Sequence, residues 1–328
     1  MIITDAIHGT LEITEPVILE LLNCPSLQRL KGIDQGGYTT PYQPNGRKFS
    51  RFDHSVGVYW LLKKFGAPLK EQVAGLIHDV SHSAFSHCID YVLDDGDGKE
   101  QNHQDNIFKH LVKKSEIPEI LKKYDLDSSY ILNDLNFPLK EQPLPDLCAD
   151  RLDYSLRTAL CYEHISFSEA QGFINDLSIE NNHWLFSDWK LAQKYAELFL
   201  GLNTKYYAGL WGALMHKTVG DYLRYALQKN YIIKSDLYTT DDEVLNKIVL
   251  FHEKDKVLLD LFNKMNNQVT YKNDSDDYES KIYLKSRIVD PLCKINSNIK
   301  RLSDIIPDWK SVVEAELKPK VYYLKFTT

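Results

Sequence analysis

Residues 75–87 read GLIHDVSHSAFSH, which sets His78, Asp79, His82 and His87 among small and apolar side chains. Imidazole and carboxylate are the ligands a catalytic divalent cation takes when no thiolate is needed. Histidine also moves protons near neutral pH, since an ordinary imidazole titrates at about 6.5. The residue type is concentrated here: six of the eleven histidines, His54, His78, His82, His87, His103 and His110, lie within residues 54–110. His78 and Asp79 are adjacent and would point about 100° apart on a regular helix. Both reach one cation only if it sits beside the helix, between them. His82 follows His78 by one turn and shares its helical face. His54 would approach from the preceding helix, and an oxygen ligand must come from farther along the chain.

PDLCADRLDYSLR (145–157) offers that oxygen. Asp146, Asp150 and Asp153 recur at i, i+4 and i+7, one helical face, with Arg151, Tyr154 and Arg157 nearby. Taken alone, an acidic stripe beside arginines is a solvated, salt-bridged surface.

The elements that must carry these residues read mainly as helices bounded by Pro and Gly. EPVILELL (15–22), RFDHSVGVYWLLKKFG (51–66), NHQDNIFKHLVKK (102–114), PEILKKY (118–124) and LPDLCADRLDYSLRTAL (144–160) are helical candidates. So is residues 68–93, but VSHSAFSH is a poor helix former, and a break is expected near 80–86. From His183 to Asn230 the pattern gives a short extended piece and two long helices. After about residue 235 the character changes: 263–281 is polar and acidic, an exposed loop or hairpin, and 281–291 and 318–326 read as extended and are expected to pair. The fold class is mainly α, a helical bundle over residues 1–235 with a small C-terminal α+β appendage over 236–328.

Composition narrows the function. Apolar residues make up 43% and charged residues 26% of 328, the mix of a globular chain with a sizeable core. The five cysteines are scattered without a C-x-x-C pair, which points to reduced thiols and a cytoplasmic setting. No apolar run is long enough to span a membrane, and the N-terminus shows no signal peptide. A net charge of -7 argues against nucleic acid as partner. The tryptophans at 184, 189 and 211 read as core packing.

RFDHSVGV, LIHDVSHSAFSH and ADRLDY, in that order, resemble the successive motifs of the HD-domain phosphohydrolase superfamily. Upstream, DAIHGTLEITEPVILELLNCPSLQRLKGIDQGG is similar to the leading segment of its deoxynucleoside triphosphate triphosphohydrolase branch. The likeness covers roughly residues 5–160, and several motifs in order are far more specific than a lone His-Asp pair. The resemblance implies an HD-domain bundle in which His54, His78, Asp79 and Asp150 bind a divalent metal, with Mn, Fe, Mg, Co and Zn all suited to these ligands. It implies that His82, His87 and His103 surround the scissile phosphate and act in proton transfer. Gln35, Arg51, Arg151 and Tyr154 fall where that family contacts sugar and phosphate. The expected substrate is a small-molecule phosphate ester, foremost a nucleotide. Relatives of this kind are often homo-oligomers, and no stretch of the sequence marks an interface.

Three departures stand against the triphosphohydrolase pattern. Gln104 follows His103 where that branch has an acid, Thr158 replaces an acid that contacts the sugar, and YYAGLWGALMHKTVG (206–220) supplies aromatic and small residues but few cations. Lys285 and Arg287, two apart on an extended segment, could bring positive charge to the cleft or form an ordinary solvated face. The departures sustain two further readings: a phosphohydrolase of a non-triphosphate ester, and a nucleotide-sensing module without turnover.

Overall fold

The computed structural model describes every residue except 44–46, 94–97, 297 and 328. The chain is 54% helical, which places it in the mainly α class. Among the described residues no helix is long and apolar enough to cross a membrane.

Two helices form the frame of the site. Arg51–Lys64 starts sharply because Ser50 and Asp53 make a reciprocal cap: the Ser50 hydroxyl accepts the Asp53 N–H, and the Asp53 carboxylate accepts the Ser50 N–H. That cap fixes Arg51 in the first turn and His54 one turn deeper. Ala149–Cys161 crosses it at very short range, because Gly57 leaves room for the Asp153 carboxylate and the Arg157 guanidinium. A Cβ at Gly57 would overlap both groups.

Leu69–Ile77 packs against Arg51–Lys64 and ends one residue before His78. The break expected near 80–86 therefore begins earlier: residues 78–81 run as turns closed by Val80 N–H to Ile77 O and His82 N–H to Asp79 O, and His82 and Ser83 are irregular. His82 is thus not one helical turn above His78; a tight turn carries it instead. The turn ends in Phe85 and Ser86, non-glycine residues held at φ 61° and 47°. A left-handed backbone costs roughly 1–2 kcal/mol per residue. Here it is opposed by the Asp241 carboxylate, which accepts the Phe85 N–H at 2.7 Å and the Asp34 N–H at 2.8 Å. The Ser86 hydroxyl adds a bond to the Asp34 carbonyl at 2.6 Å.

Helix Ala149–Cys161 begins five residues later than the expected start at 144, with Cys148 as its cap. Asp146 consequently lies before the helix and pairs with Arg301, so the three-aspartate stripe does not exist as one helical face. Asp153 faces inward and is fully buried, which overturns the solvated-surface reading for that residue.

The strands are small. Ile2–Asp5 pairs with Gly9–Glu12, and Lys320–Thr327 lies antiparallel between Thr270–Asn273 and Ser280–Leu284. The expected pairing of the two C-terminal extended segments is therefore present, though the first ends at Leu284. The polar stretch between Thr270 and Leu284 is no hairpin, because the last strand separates its arms. In the third sheet Leu185 and Phe186 pair in parallel with Leu292 and Cys293. Ile288, Val289, Cys293 and Trp309 join the core built by Val58, Leu152, Leu156 and Phe199, so residues after 235 share apolar contacts with the preceding helices.

Gly57→Ala should destabilise the protein by about 3 kcal/mol, because it pushes on a buried, charge-paired carboxylate. Urea denaturation measures the loss, and an unchanged midpoint would show that the two helices can part without consequence.

Candidate active site

His54 and His78 are presented to each other by fixed acceptors behind them. The His54 Nδ1 side meets Asp153 Oδ2 at 2.7 Å, and the His78 Nδ1 side meets the Gly75 carbonyl at 2.7 Å. With each Nδ1–H donated backwards, the Nε2 atoms of both rings are aimed at one point, and each presents a lone pair there once its Nε2 proton is displaced. They stand 3.2 Å apart, and Asp150 Oδ1 lies 2.8 Å from His54 Nε2 and 3.5 Å from His78 Nε2. Asp79 completes the ring, its Oδ1 3.3 Å from His78 Nε2 and its Oδ2 4.0 Å from His54 Nε2.

Two lone pairs and two carboxylates facing one point repel unless positive charge sits between them. The protonation pattern reports that demand. Burial opposes charge on His54, yet the bonds to Asp150 and Asp153 win and raise its pKa to about 9. Burial likewise opposes charge on His78, and the Asp79 and Asp150 carboxylates overcome it. Asp150 and Asp79 stay well below the usual carboxylate range despite burial, the first through the two imidazoles and the second through Arg51 and its neighbouring histidines. Donor types, spacing and electrostatics fit a divalent cation. His54, His78 and Asp150 offer ligand atoms all within 4.8 Å of one another.

Arg51 stands beside this cluster, buried, with every arm engaged: Nη1 to Asp79 Oδ2 at 2.8 Å, Nε to the Ser86 hydroxyl at 3.0 Å and Nη2 to the Gln35 carbonyl at 3.1 Å. His82 Nε2 lies 3.3 Å from Asp79 Oδ1. Burial first and the Arg51 charge second push its pKa down to about 3. His87 is also shifted down, by burial against the pull of Asp90, whose carboxylate meets its Nδ1 at 3.2 Å.

The cluster opens on a cleft of about 830 Å³ whose walls include Gln35, Arg51, His82, His87, Arg151 and Tyr154. His103 does not line it; its Nε2 meets the Tyr238 hydroxyl at 3.0 Å, and its N–H donates to Asp90 Oδ1. Arg151 reaches the cleft wall, but it spends Nη2 on the Gln142 carbonyl at 3.1 Å and Nη1 on Cys148 Sγ at 3.2 Å. Gln104 accepts a 2.6 Å bond from the Ser81 hydroxyl. Lys285 and Arg287, left open between two readings, both line the cleft, beyond the end of their strand.

Sequence reasoning missed several members. Asp153 binds His8, His54 and Arg157, and its signal was the spacing of three after Asp150. Asp90 orients His87 from the same spacing of three. Asp241 lies far along the chain, and nothing local announces that it ties the Gln35 loop to the His87 turn.

Comparison with known proteins places this geometry among relatives. Residues 51–158 match the family described as the HD domain. The chain is 35% identical to the uncharacterized protein YdhJ of Bacillus subtilis over 293 residues, covering 89% of this chain and 88% of that one. It is 39% identical over 182 residues to cns2 of Cordyceps militaris, described as a metal-dependent phosphohydrolase, covering 54% of this chain and half of that one, 50%. A solved structure of a hypothetical protein from Aquifex aeolicus superposes with a TM-score of 0.73 at 16% identity, covering 100% of this chain and 96% of that one, which shows a shared fold.

The raised pKa values set a pH dependence for cation binding. In the metal-free protein His54 holds a proton up to about pH 9 and His78 is shifted the same way, so a cation competes with protons and its affinity should rise with pH. Titration calorimetry should give a Kd that tightens about tenfold per pH unit per proton displaced. That trend should hold below about pH 9 and level off above it, where His54 loses its proton unaided; a flat profile below about pH 9 contradicts the assignment.

Proposed function

The chain belongs to the HD-domain family of metal-dependent phosphohydrolases, and on that premise we propose that it hydrolyses the phosphate ester of a nucleotide at the His54–His78–Asp150 cluster. The observation that carries the reading is the pair of facing Nε2 atoms, 3.2 Å apart, with the Asp150 carboxylate oxygen completing a triangle with them beside a cleft. His54, His78, Asp79 and Asp150 would hold the cation, which when bound supplies Lewis acidity toward a phosphate oxygen and a water.

The remaining steps belong to the chain's own groups. Arg51 is held rigid by Asp79, Ser86 and the Gln35 carbonyl, and its charge at the cleft wall offsets that of an incoming phosphate. His82 and His87 rest neutral in the free protein, since both pKa values are shifted down. A phosphate beside them adds negative charge and raises those values. His87, oriented through Nδ1 by Asp90, then hands a proton to the leaving oxygen, and His82 stays close enough to the cluster to take one from the attacking water. Tyr154 and Gln35 line the wall on the side where the organic part of the ester must lie. His103 supports this arrangement from behind, through the Asp90 carboxylate that both histidines contact.

A nucleotide-sensing pocket without turnover is the second reading, and Gln104 favours it: a neutral amide turned to Ser81 replaces an acid beside His103. The two readings part in a nucleotide panel assayed with Mn, Fe, Mg, Co or Zn, where binding without product selects the sensor.

His78→Ala should lower turnover by about 10³-fold and abolish stoichiometric metal binding, because it removes a ligand and leaves the fold's apolar contacts in place. Metal content by mass spectrometry and phosphate release are measured together. Full activity in a metal-free His78→Ala protein would rule the proposal out.

A further inference from the structure

Beside the cleft lies a second chamber of about 140 Å³, sharing Gln35, Arg51, His87, Gln101, Tyr154 and Arg287 as its rim. Its interior is aromatic, with Phe49, Tyr162, Tyr206, Tyr207 and Trp211 on the walls. A water needs roughly 10–15 Å³ by this measure, so the chamber houses about ten heavy atoms, the size of two fused rings. Among the described residues no Asp, Glu or Lys lines it, and its two cations, Arg51 and Arg287, stand at the shared rim. A flat, uncharged group fits those walls.

The chamber is also built for polar edges. Gln35 Oε1 and His216 Nδ1 are buried on its lining without a hydrogen-bond partner in the protein. Buried polar atoms are rarely left so, and a ring with donors and acceptors around its edge satisfies both. Local structure is arranged to make this wall. Residues Asn203–Tyr207 form a π turn closed by Ala208 N–H to Asn203 O at 2.7 Å, which brings Tyr206 and Tyr207 to the chamber. Asn203 anchors that turn to the C-terminal segment through Ser286 at 2.9 Å and the Arg287 N–H at 2.9 Å.

The cleft is poorly suited to a polyphosphate. Of the cations beyond Arg51, Arg151 bonds Gln142 and Cys148, Lys140 is locked to Asp134 at 2.6 Å, Lys285 to the Glu100 carbonyl at 2.9 Å and Arg287 to Gln101 Oε1 at 2.8 Å, and Lys109 stands one helical turn from Asp105. Asp105, Asp134 and Glu141 line the same outer walls, where the tail of a triphosphate would have to lie. A single phosphate needs only the metal cluster and Arg51, and avoids those carboxylates.

We infer that the substrate is a nucleoside monophosphate, its one phosphate at the His54–His78–Asp150 cluster and its base in the aromatic chamber, with a sugar-sized link across the rim. The inference rests on the phosphohydrolase reading and names its substrate class. In the reaction one water adds across the P–O ester bond: its oxygen joins phosphorus, the ester oxygen leaves with a proton, and inorganic phosphate and free nucleoside result.

The test is a matched series of nucleoside mono-, di- and triphosphates, with glycerol phosphate as an ester lacking a ring, given to the metal-loaded full chain. Inorganic phosphate should appear from the monophosphate with kcat/KM at least about tenfold above the others. In Trp211→Ala the preference for the nucleoside monophosphate over glycerol phosphate should fall about tenfold. Release of triphosphate or pyrophosphate at equal or greater kcat/KM overturns this inference and leaves the phosphohydrolase reading standing. Glycerol phosphate turned over as well as the monophosphate by the wild type, or a Trp211→Ala protein with an unchanged preference, also overturns it. No turnover of any ester overturns both.

Discussion

One buried carboxylate organises the molecule. Asp153 has no solvent exposure, and it accepts from His8 at 2.7 Å, from His54 at 2.7 Å and from Arg157 at 3.0 and 2.9 Å. A buried anion without partners would be strongly unfavourable, so these groups must arrive together. Arg157 extends the network to Asp5 beside the N-terminal strand pair, and His8 stacks on Trp60 of the helix that carries His54. Three separate segments are thus brought into register by one charge. The chemical outcome is a fixed ring orientation, with His54 Nδ1 on Asp153 and Nε2 aimed at the cluster.

Rigidity of a different kind governs the other wall. The turn before His87 is held in left-handed geometry, and Asp241 and Ser86 bond it to the Asp34–Gln35 loop. Burial, with the nearby Asp34 and Asp242, raises the Asp241 pKa to about 7 although two backbone amides stabilise its anion. The strain is local, while the groups that oppose it come from distant parts of the chain. Gln35, Arg51 and His87 are therefore positioned before any ligand arrives, which limits the reorganisation that binding must bring about.

The sequence was most readable where chemistry and periodicity coincide. The helix carrying His54 showed in its apolar pattern, and the clustering of His78, Asp79, His82 and His87 was visible as residue type alone. Asp150 needed the motif order, because its spacing within PDLCADRLDYSLR does not separate a ligand from a surface acid. The same spacing misled for Asp146, whose helix begins only at Ala149, and for Asp153, whose burial depends on a glycine in another helix. Trp211 was read as packing since an aromatic at helical spacing looks alike in a core and in a ligand chamber. Asp90 and Asp241 act through backbone and imidazole contacts that only the folded chain creates. Local pattern reveals elements; long-range charge compensation reveals itself only in three dimensions.

The parallel pairing of Leu185 and Phe186 with Leu292 and Cys293 has a temporal meaning. The metal cluster draws on residues up to Asp150, whereas Arg287 and the strand that follows it come from a segment made much later. The residues of the cluster are synthesised before that rim, but the helix carrying Asp150 shares one apolar core with Ile288, Val289 and Trp309, so its packing is complete only when the C-terminal segment has arrived. Parallel pairing over so long a separation is slow to form. The helical frame and the rim of the cleft are therefore completed together, at the end of synthesis, rather than one after the other.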